Sequence, residues 1–192
     1  MSAEPDERVR IEDLLSALKH AADVLRAAEI PFILAGGLAV YARGGKPSEH
    51  DVDLLLREEH TTAALEALDA AGYRTERPPE GWLVKAYVDD TLVDLIYRPV
   101  ERPVTDETFA DTDLLPCGPI NVPVLSGAQL LIHWLYRLNA QSCDLTAPLA
   151  LTRSIREQID IETVREQTKG SPYARAFLSL AEELELIGPS NG

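Results

Sequence analysis

Three short stretches decide the fold of this 192-residue chain: AGG at residues 35–37, DVDL at 51–54 and LVDLI at 92–96. The first stretch follows an apolar run, so we predict a short strand, a tight turn at the glycine pair and a short helix. The second and third stretches predict strands, because both are rich in aliphatic residues. Aspartate is depleted in such strands, so the aspartates here need a physical reason.

Alternation along a strand places Asp51 and Asp53 on one face and turns the residue between them to the other. Two carboxylates on one side of a buried strand are costly without a partner. Asp94 faces the same difficulty, because apolar residues flank it on both sides. A divalent cation such as Mg²⁺ is a suitable partner for carboxylate oxygens, and three carboxylates could hold two such ions.

The glycine pair suggests a phosphate-binding turn. Gly36 and Gly37 allow the backbone to approach a phosphate closely, and the helix that follows offers free N–H groups. The phosphates of a nucleotide would then lie between this turn and the metal ions.

The order of these features resembles the DNA polymerase β-like nucleotidyltransferase superfamily. Its signature is a glycine pair, a spacer (thirteen residues here), Asp-apolar-Asp-apolar, and a later aspartate in an apolar strand. The resemblance covers about residues 30–98, and the chain looks like the small bacterial members that act on antibiotics or as toxins. It implies two Mg²⁺ ions held by Asp51, Asp53 and Asp94, with a nucleoside triphosphate as co-substrate. Asp94 would also help to deprotonate the acceptor hydroxyl.

The loop before Asp51 departs from the family pattern. Many members carry Ser or Thr two residues before the first aspartate, whereas here Glu49 holds that position and Ser48 lies one residue further back. Ser48 is therefore only a candidate phosphate contact. Arg43 and Lys46 could also bind phosphates, or they could be solvated loop residues.

A hairpin predicted from residues 82–97 adds a further candidate. If Asp89 and Asp90 form a two-residue turn, Lys85 lies directly opposite Asp94 and shares its face of the sheet. Lys85 could contact a triphosphate, or it could neutralise Asp94 in an ion pair.

We expect an α+β fold: a small mixed β-sheet flanked by helices, followed by a helical C-terminal part. The predicted division is a nucleotidyltransferase catalytic domain at 1–124 and a helical region at 125–192. Helices are expected at 9–28, after Ser126, at 147–161 and at 172–186, because their apolar residues recur at helical spacing.

The composition of the chain restricts the kinds of molecule that it is expected to bind. The net charge of -14 disfavours a general binder of nucleic acid, so a small cationic acceptor such as an aminoglycoside is favoured over an RNA end. No apolar run is long enough to cross a membrane. The two cysteines form no metal-binding pair, and we expect a cytoplasmic protein.

The predicted function is Mg²⁺-dependent transfer of a nucleoside monophosphate to an acceptor hydroxyl, with release of pyrophosphate. Two alternatives remain open at this point. The chain could be a non-catalytic module that binds a nucleotide or a partner, or a toxin of a toxin–antitoxin pair that acts on transfer RNA. The sequence leaves the acceptor, the nucleotide and the oligomeric state undecided.

Overall fold

A computed structural model describes residues 5–46 and 51–189 of the chain. Its contacts divide the chain into two compact units. Unit 1 comprises residues up to 42 together with 46–125, and unit 2 comprises 43–45 together with the residues from 126 onward. The predicted division into a catalytic domain at 1–124 and a helical region at 125–192 stays a prediction.

Unit 1 is built on one seven-stranded mixed sheet in the order β3-β4-β5-β2-β1-β7-β6. Its strands are β1 (Ile33–Leu34), β2 (Asp51–Leu55), β3 (Arg74–Glu76), β4 (Leu83–Val88), β5 (Thr91–Ile96), β6 (Thr112–Cys117) and β7 (Ile120–Leu125). Strand β2 runs parallel to β5 and antiparallel to β1, and β1 runs parallel to β7. The predicted mixed sheet with flanking helices is therefore confirmed.

Four helices accompany this sheet: α1 (Pro5–Ala27), α2 (Gly36–Ala42), α3 (Thr61–Ala70) and α4 (Asp106–Ala110). Helices α1 and α3 contact each other, and between them they contact β2, β3, β4 and β5. One set of alternate strand residues is buried: Val52, Leu54, Val84, Ala86, Val93 and Leu95. The other set, which includes Asp51 and Asp53, therefore occupies the opposite face of the sheet.

Unit 2 is helical, and its helices are α5 (Gly127–Arg137), α6 (Thr146–Ile155), α7 (Ile161–Thr168) and α8 (Pro172–Glu183). Ser126 caps α5, as the sequence predicts, because its side chain accepts a hydrogen bond from the backbone N–H of Gln129. The helix predicted over 147–161 is confirmed up to Ile155, but its predicted end is wrong. A short 3-10 turn follows at Arg156–Gln158, and Asp160 begins a new helix by accepting a hydrogen bond from the backbone N–H of Thr163.

Sequence reasoning also missed two short elements of unit 1, β3 and α4. Neither has a clear periodic pattern, since β3 has three residues and α4 has five. Among the described residues, no helix has the length and apolar character that crossing a membrane requires.

Candidate active site

Three aspartates converge on the face of the sheet opposite α1 and α3. Asp53 in β2 is directly paired with Asp94 in the parallel strand β5, and Asp51 lies two residues before Asp53 on the same face. One carboxylate oxygen from each residue lies within 4.8 Å of the others. The alternation of two adjacent strands thus produces the cluster that the sequence predicts.

Asp94 is the most deeply buried of the three carboxylates, with 8% of its surface exposed. Burial raises its pKa above the ordinary value, Lys85 partly opposes this effect, and the nearby charge of Asp51 raises the pKa further. Within the described part of the chain, Asp94 Oδ1 is buried and has no hydrogen-bond partner. A buried, unsatisfied carboxylate oxygen facing two other carboxylates is the donor set that a hard divalent cation fits.

The glycine turn lies directly against this cluster. Gly36 has a φ of +58°, and a Cβ atom built on it would lie 1.7 Å from Asp53 Oδ2. The backbone N–H of Ala35 also donates to the Asp53 carbonyl oxygen over 2.9 Å. Position 36 therefore requires glycine for two reasons, a left-handed backbone and the close approach of the Asp53 carboxylate. Gly37 follows as the second residue of α2.

Lys85 lies on the other side of Asp94. The predicted register is confirmed, with Lys85 opposite Asp94 and Val88 opposite Thr91. Lys85 Nζ is 3.8 Å from Asp94 Oδ1, which makes an ion pair too long for a hydrogen bond. Glu76 in β3 faces Lys85 from the far side. Charged residues therefore alternate in sign across β3, β4 and β5 in a single row.

The loop candidates have different surroundings. The guanidinium of Arg43 donates to Gln158 Oε1 over 3.2 Å, and Gln158 Nε2 donates to the Arg43 carbonyl oxygen over 2.9 Å. Arg43 is buried, so it is not a solvated loop residue. Lys46 is exposed, and Ser48 lies outside the described residues. A phosphate-binding role for each of the three stays a prediction.

A second row on the same face escaped sequence reasoning. Asp51 is paired with Leu92, Leu92 with Tyr87, and Tyr87 with Arg74. The Arg74 guanidinium lies over the Tyr87 ring, 3.8 Å from its centroid. The hairpin register already implied that Tyr87 and Leu92 share the face of Lys85, but the pairing of Arg74 depends on the missed strand β3.

A mixed sheet with three converging aspartates beside a glycine turn defines a nucleotidyltransferase fold. Residues 17–102, somewhat under half of the chain, match the sequence model of the aminoglycoside-2''-adenylyltransferase family. No curated protein matches the chain. The fold is that of the nucleotidyltransferases, and the segment that resembles the aminoglycoside-2''-adenylyltransferase family contains all three aspartates.

Solved structures agree with this assignment of the fold. The chain is 16% identical to ANT(2'')-Ia in complex with adenylyl-2''-tobramycin, with a TM-score of 0.61 and coverage of 86% of this chain and 97% of that one. It is 15% identical to the lincomycin-bound lincosamide adenylyltransferase LnuA, with a TM-score of 0.53 and coverage of 72% and 95%. A nucleotidyltransferase-like protein of Paracoccidioides brasiliensis is 17% identical, with a TM-score of 0.54 and coverage of 91% and 88%.

Proposed function

We propose that the protein transfers a nucleoside monophosphate from a nucleoside triphosphate, with ATP as the first candidate, to a hydroxyl of a small cationic acceptor. The observation that carries this proposal is the convergence of Asp51, Asp53 and Asp94 within 4.8 Å, directly beside the turn at Gly36. Phosphoryl chemistry depends mainly on positioning and on charge neutralisation. A cluster of carboxylates next to a partly exposed glycine turn supplies the parts for both.

The three aspartates would hold divalent cations, in our proposal two Mg²⁺ ions. When bound, such ions neutralise charge on the triphosphate and the leaving pyrophosphate, and they make the acceptor hydroxyl more acidic. The support for this assignment is the hard-oxygen donor set and the unsatisfied oxygen of Asp94.

Each residue of the site has a proposed role. Asp51 and Asp53 would hold the ions and so help to orient the triphosphate. Asp94 accepts the proton of the attacking hydroxyl, a role that suits its buried carboxylate beside Asp53. Gly36 and Gly37 expose backbone N–H groups to the phosphates. Lys85 balances the charge of Asp94, and contact with a phosphate of the nucleotide is the second role proposed for it.

The acceptor is proposed from charge. Unit 1 has 24 acidic and 11 basic residues, so nearly all of the net charge of -14 belongs to the unit that contains the site. Such a surface attracts a cationic small molecule and repels a polyanion. An aminoglycoside is therefore a better candidate than an RNA end, and ANT(2'')-Ia, to which the chain is similar, was solved with adenylyl-2''-tobramycin.

We propose the cytoplasm as the location of the reaction, because ATP and Mg²⁺ are available there. The two cysteines are consistent with a reducing compartment, since Cys117 is buried and Cys143 is exposed and both are unpaired thiols.

The decisive experiment incubates the protein with each α-labelled nucleoside triphosphate, Mg²⁺, and panels of aminoglycosides, lincosamides and transfer RNA. We expect label from ATP on an aminoglycoside, stoichiometric pyrophosphate, and no label with the Asp53→Asn variant. The matched control is Asp69→Asn, an exposed aspartate of α3 outside the cluster, which should retain full turnover. Label on transfer RNA alone would contradict the proposed acceptor, and full turnover by Asp53→Asn would contradict the proposed site.

A further inference from the structure

The row next to the aspartates contains an aromatic shelf, which we define as Tyr87 and Leu92. Both side chains are partly exposed, although the guanidinium of Arg74 covers part of the Tyr87 ring. Alternation turns both toward the aspartate face, while their neighbours Ala86 and Val93 are buried on the other face. An apolar, partly exposed surface thus adjoins a charged cluster on the same face of the sheet.

The position of the shelf relative to the glycine turn indicates the side from which the acceptor approaches the aspartates. Strand β1, which leads into Gly36, adjoins β2 on one edge, whereas β5 and β4 follow β2 on the other edge. Asp53 therefore has the glycine turn on one side and the shelf strands on the other. If phosphates bind at the turn, the pyrophosphate leaves on that side. The attacking and leaving oxygens lie roughly in line, so the acceptor must approach from above β5 and β4.

We propose that the shelf is the acceptor platform, and that Tyr87 is a specificity-determining residue that carries a saturated, amino-substituted six-membered ring of the acceptor. This inference rests on the proposed function, because it takes the side of the leaving group from it. Tyr87 is the diagonal neighbour of Asp94, and such neighbours lie about 7–8 Å apart. A hydroxylated ring resting on Tyr87 bridges that gap and presents a hydroxyl to Asp94.

The charges around the shelf favour an amine-bearing ring over a phosphate-bearing one. Arg74 is within 3.7 Å of Glu76, and Lys85 is within 3.8 Å of Asp94, so both cations have acidic partners. Asp51 adjoins Leu92 directly. The Arg74 guanidinium already lies over the Tyr87 ring, so the attraction for ammonium groups comes from the neighbouring carboxylates of Asp51 and Asp94. The ring carbons contact Tyr87 and Leu92, and the amines contact the surrounding acids.

Arg74 has a positioning role in this arrangement. Its guanidinium lies 3.8 Å from the centroid of the Tyr87 ring, close enough to restrict the orientation of the ring, and it forms an ion pair with Glu76. A fixed aromatic side chain loses less conformational freedom when it binds a ligand. The shelf is therefore preorganised for ligand binding.

Calorimetric titration with tobramycin tests the shelf without requiring turnover. We expect the tobramycin Kd to rise about tenfold in Tyr87→Ala, because an aromatic contact of this kind accounts for roughly one power of ten in affinity. Tyr87→Phe should bind like the wild type, and ATP affinity should be unchanged in both variants. Trp82→Ala, which removes an exposed aromatic residue from outside the shelf, is the matched control.

Saturation-transfer NMR on the wild type supplies a second measurement that does not depend on how Tyr87→Ala folds. Contact between tobramycin ring protons and the Tyr87 ring is expected. Equal tobramycin affinity of Tyr87→Ala and the wild type, absence of that contact, or no binding of tobramycin by the wild type would each overturn the inference. Binding at Tyr87 without nucleotide transfer would instead refute the proposed function and leave the shelf in place.

Discussion

Replacing Gly36 with alanine tests the closest contact of the site. The new Cβ atom would lie 1.7 Å from Asp53 Oδ2 and 2.6 Å from its Cγ, whereas ordinary contact begins at 3.4 Å. The Asp53 oxygen must therefore withdraw by the difference, about 1.7 Å. Helix α2 begins at Gly36, so the backbone has little freedom to move instead.

Two separate costs follow from this change. A left-handed backbone with a side chain costs about 1–2 kcal/mol, which lowers the melting temperature of a chain of this size by roughly 2–8 °C. Displacing Asp53 affects the chemistry more strongly, since a misplacement of about 1 Å can reduce a rate by about 100-fold. We therefore expect kcat/KM to fall by at least about 100-fold, and Mn²⁺ binding to weaken in parallel.

Gly72→Ala separates the two costs. Gly72 also has a positive φ, +94°, but a Cβ atom there would meet nothing within 4 Å. This variant should lose stability while retaining wild-type turnover and Mn²⁺ affinity. Thermal unfolding, calorimetry with Mn²⁺ and the labelled-ATP assay measure the three quantities. If Gly36→Ala keeps wild-type Mn²⁺ affinity and turnover, the close approach of the glycine to Asp53 has no functional role.

Two further predictions concern stability. Lys85→Met removes the cation that lies 3.8 Å from the buried Asp94 oxygen, and should lower the free energy of unfolding by about 1–2 kcal/mol. This loss is smaller than that for a fully buried ion pair, because Lys85 is partly exposed. Urea unfolding measures this loss, and adding Asp94→Asn should restore part of it; an unchanged midpoint in Lys85→Met would contradict the argument. Hydrogen bonds from Thr163 lower the pKa of Asp160, so its carboxylate stabilises the folded state at neutral pH, and this contribution disappears as the pH falls below about 4. Asp160→Ala should therefore be less stable than the wild type at pH 7, by about 1 kcal/mol for a lost helix cap, and the gap should narrow at pH 3; a gap that is constant with pH would refute this account.

Much of the site could be predicted because strand alternation and hairpin register are local rules. Asp51 and Asp53 share a face for the reason that the sequence shows, and two turn residues are enough to place Lys85 opposite Asp94. The pairing of Asp53 with Asp94 is different, because it joins distant segments. Only the family resemblance implied that Asp94 lies beside Asp53, and the structure shows the two residues directly paired.

The errors share a physical cause. Strand β3 and helix α4 are too short for a periodic pattern to develop, so tertiary packing decides them. The division between α6 and α7 depends on Asp160, whose capping hydrogen bond competes with continuation of the helix. The surroundings of Arg43 depend on Gln158, a partner more than a hundred residues away in the sequence.

The short central strand β1 has a consequence for the order of folding. It has two residues, and Leu34 pairs with Val124, ninety residues further along the chain. Gly36 lies two residues after this strand, and its placement beside Asp53 follows from the pairing of β1 with β2, in which Leu34 lies opposite Leu54. That pairing joins segments much closer in sequence than the pairing with β7, and closing long loops is slow compared with forming local contacts. A nascent chain that ends before β7 should therefore contain the Lys85–Asp94 hairpin and already be able to place Gly36 beside Asp53, while β1 still lacks its second neighbouring strand.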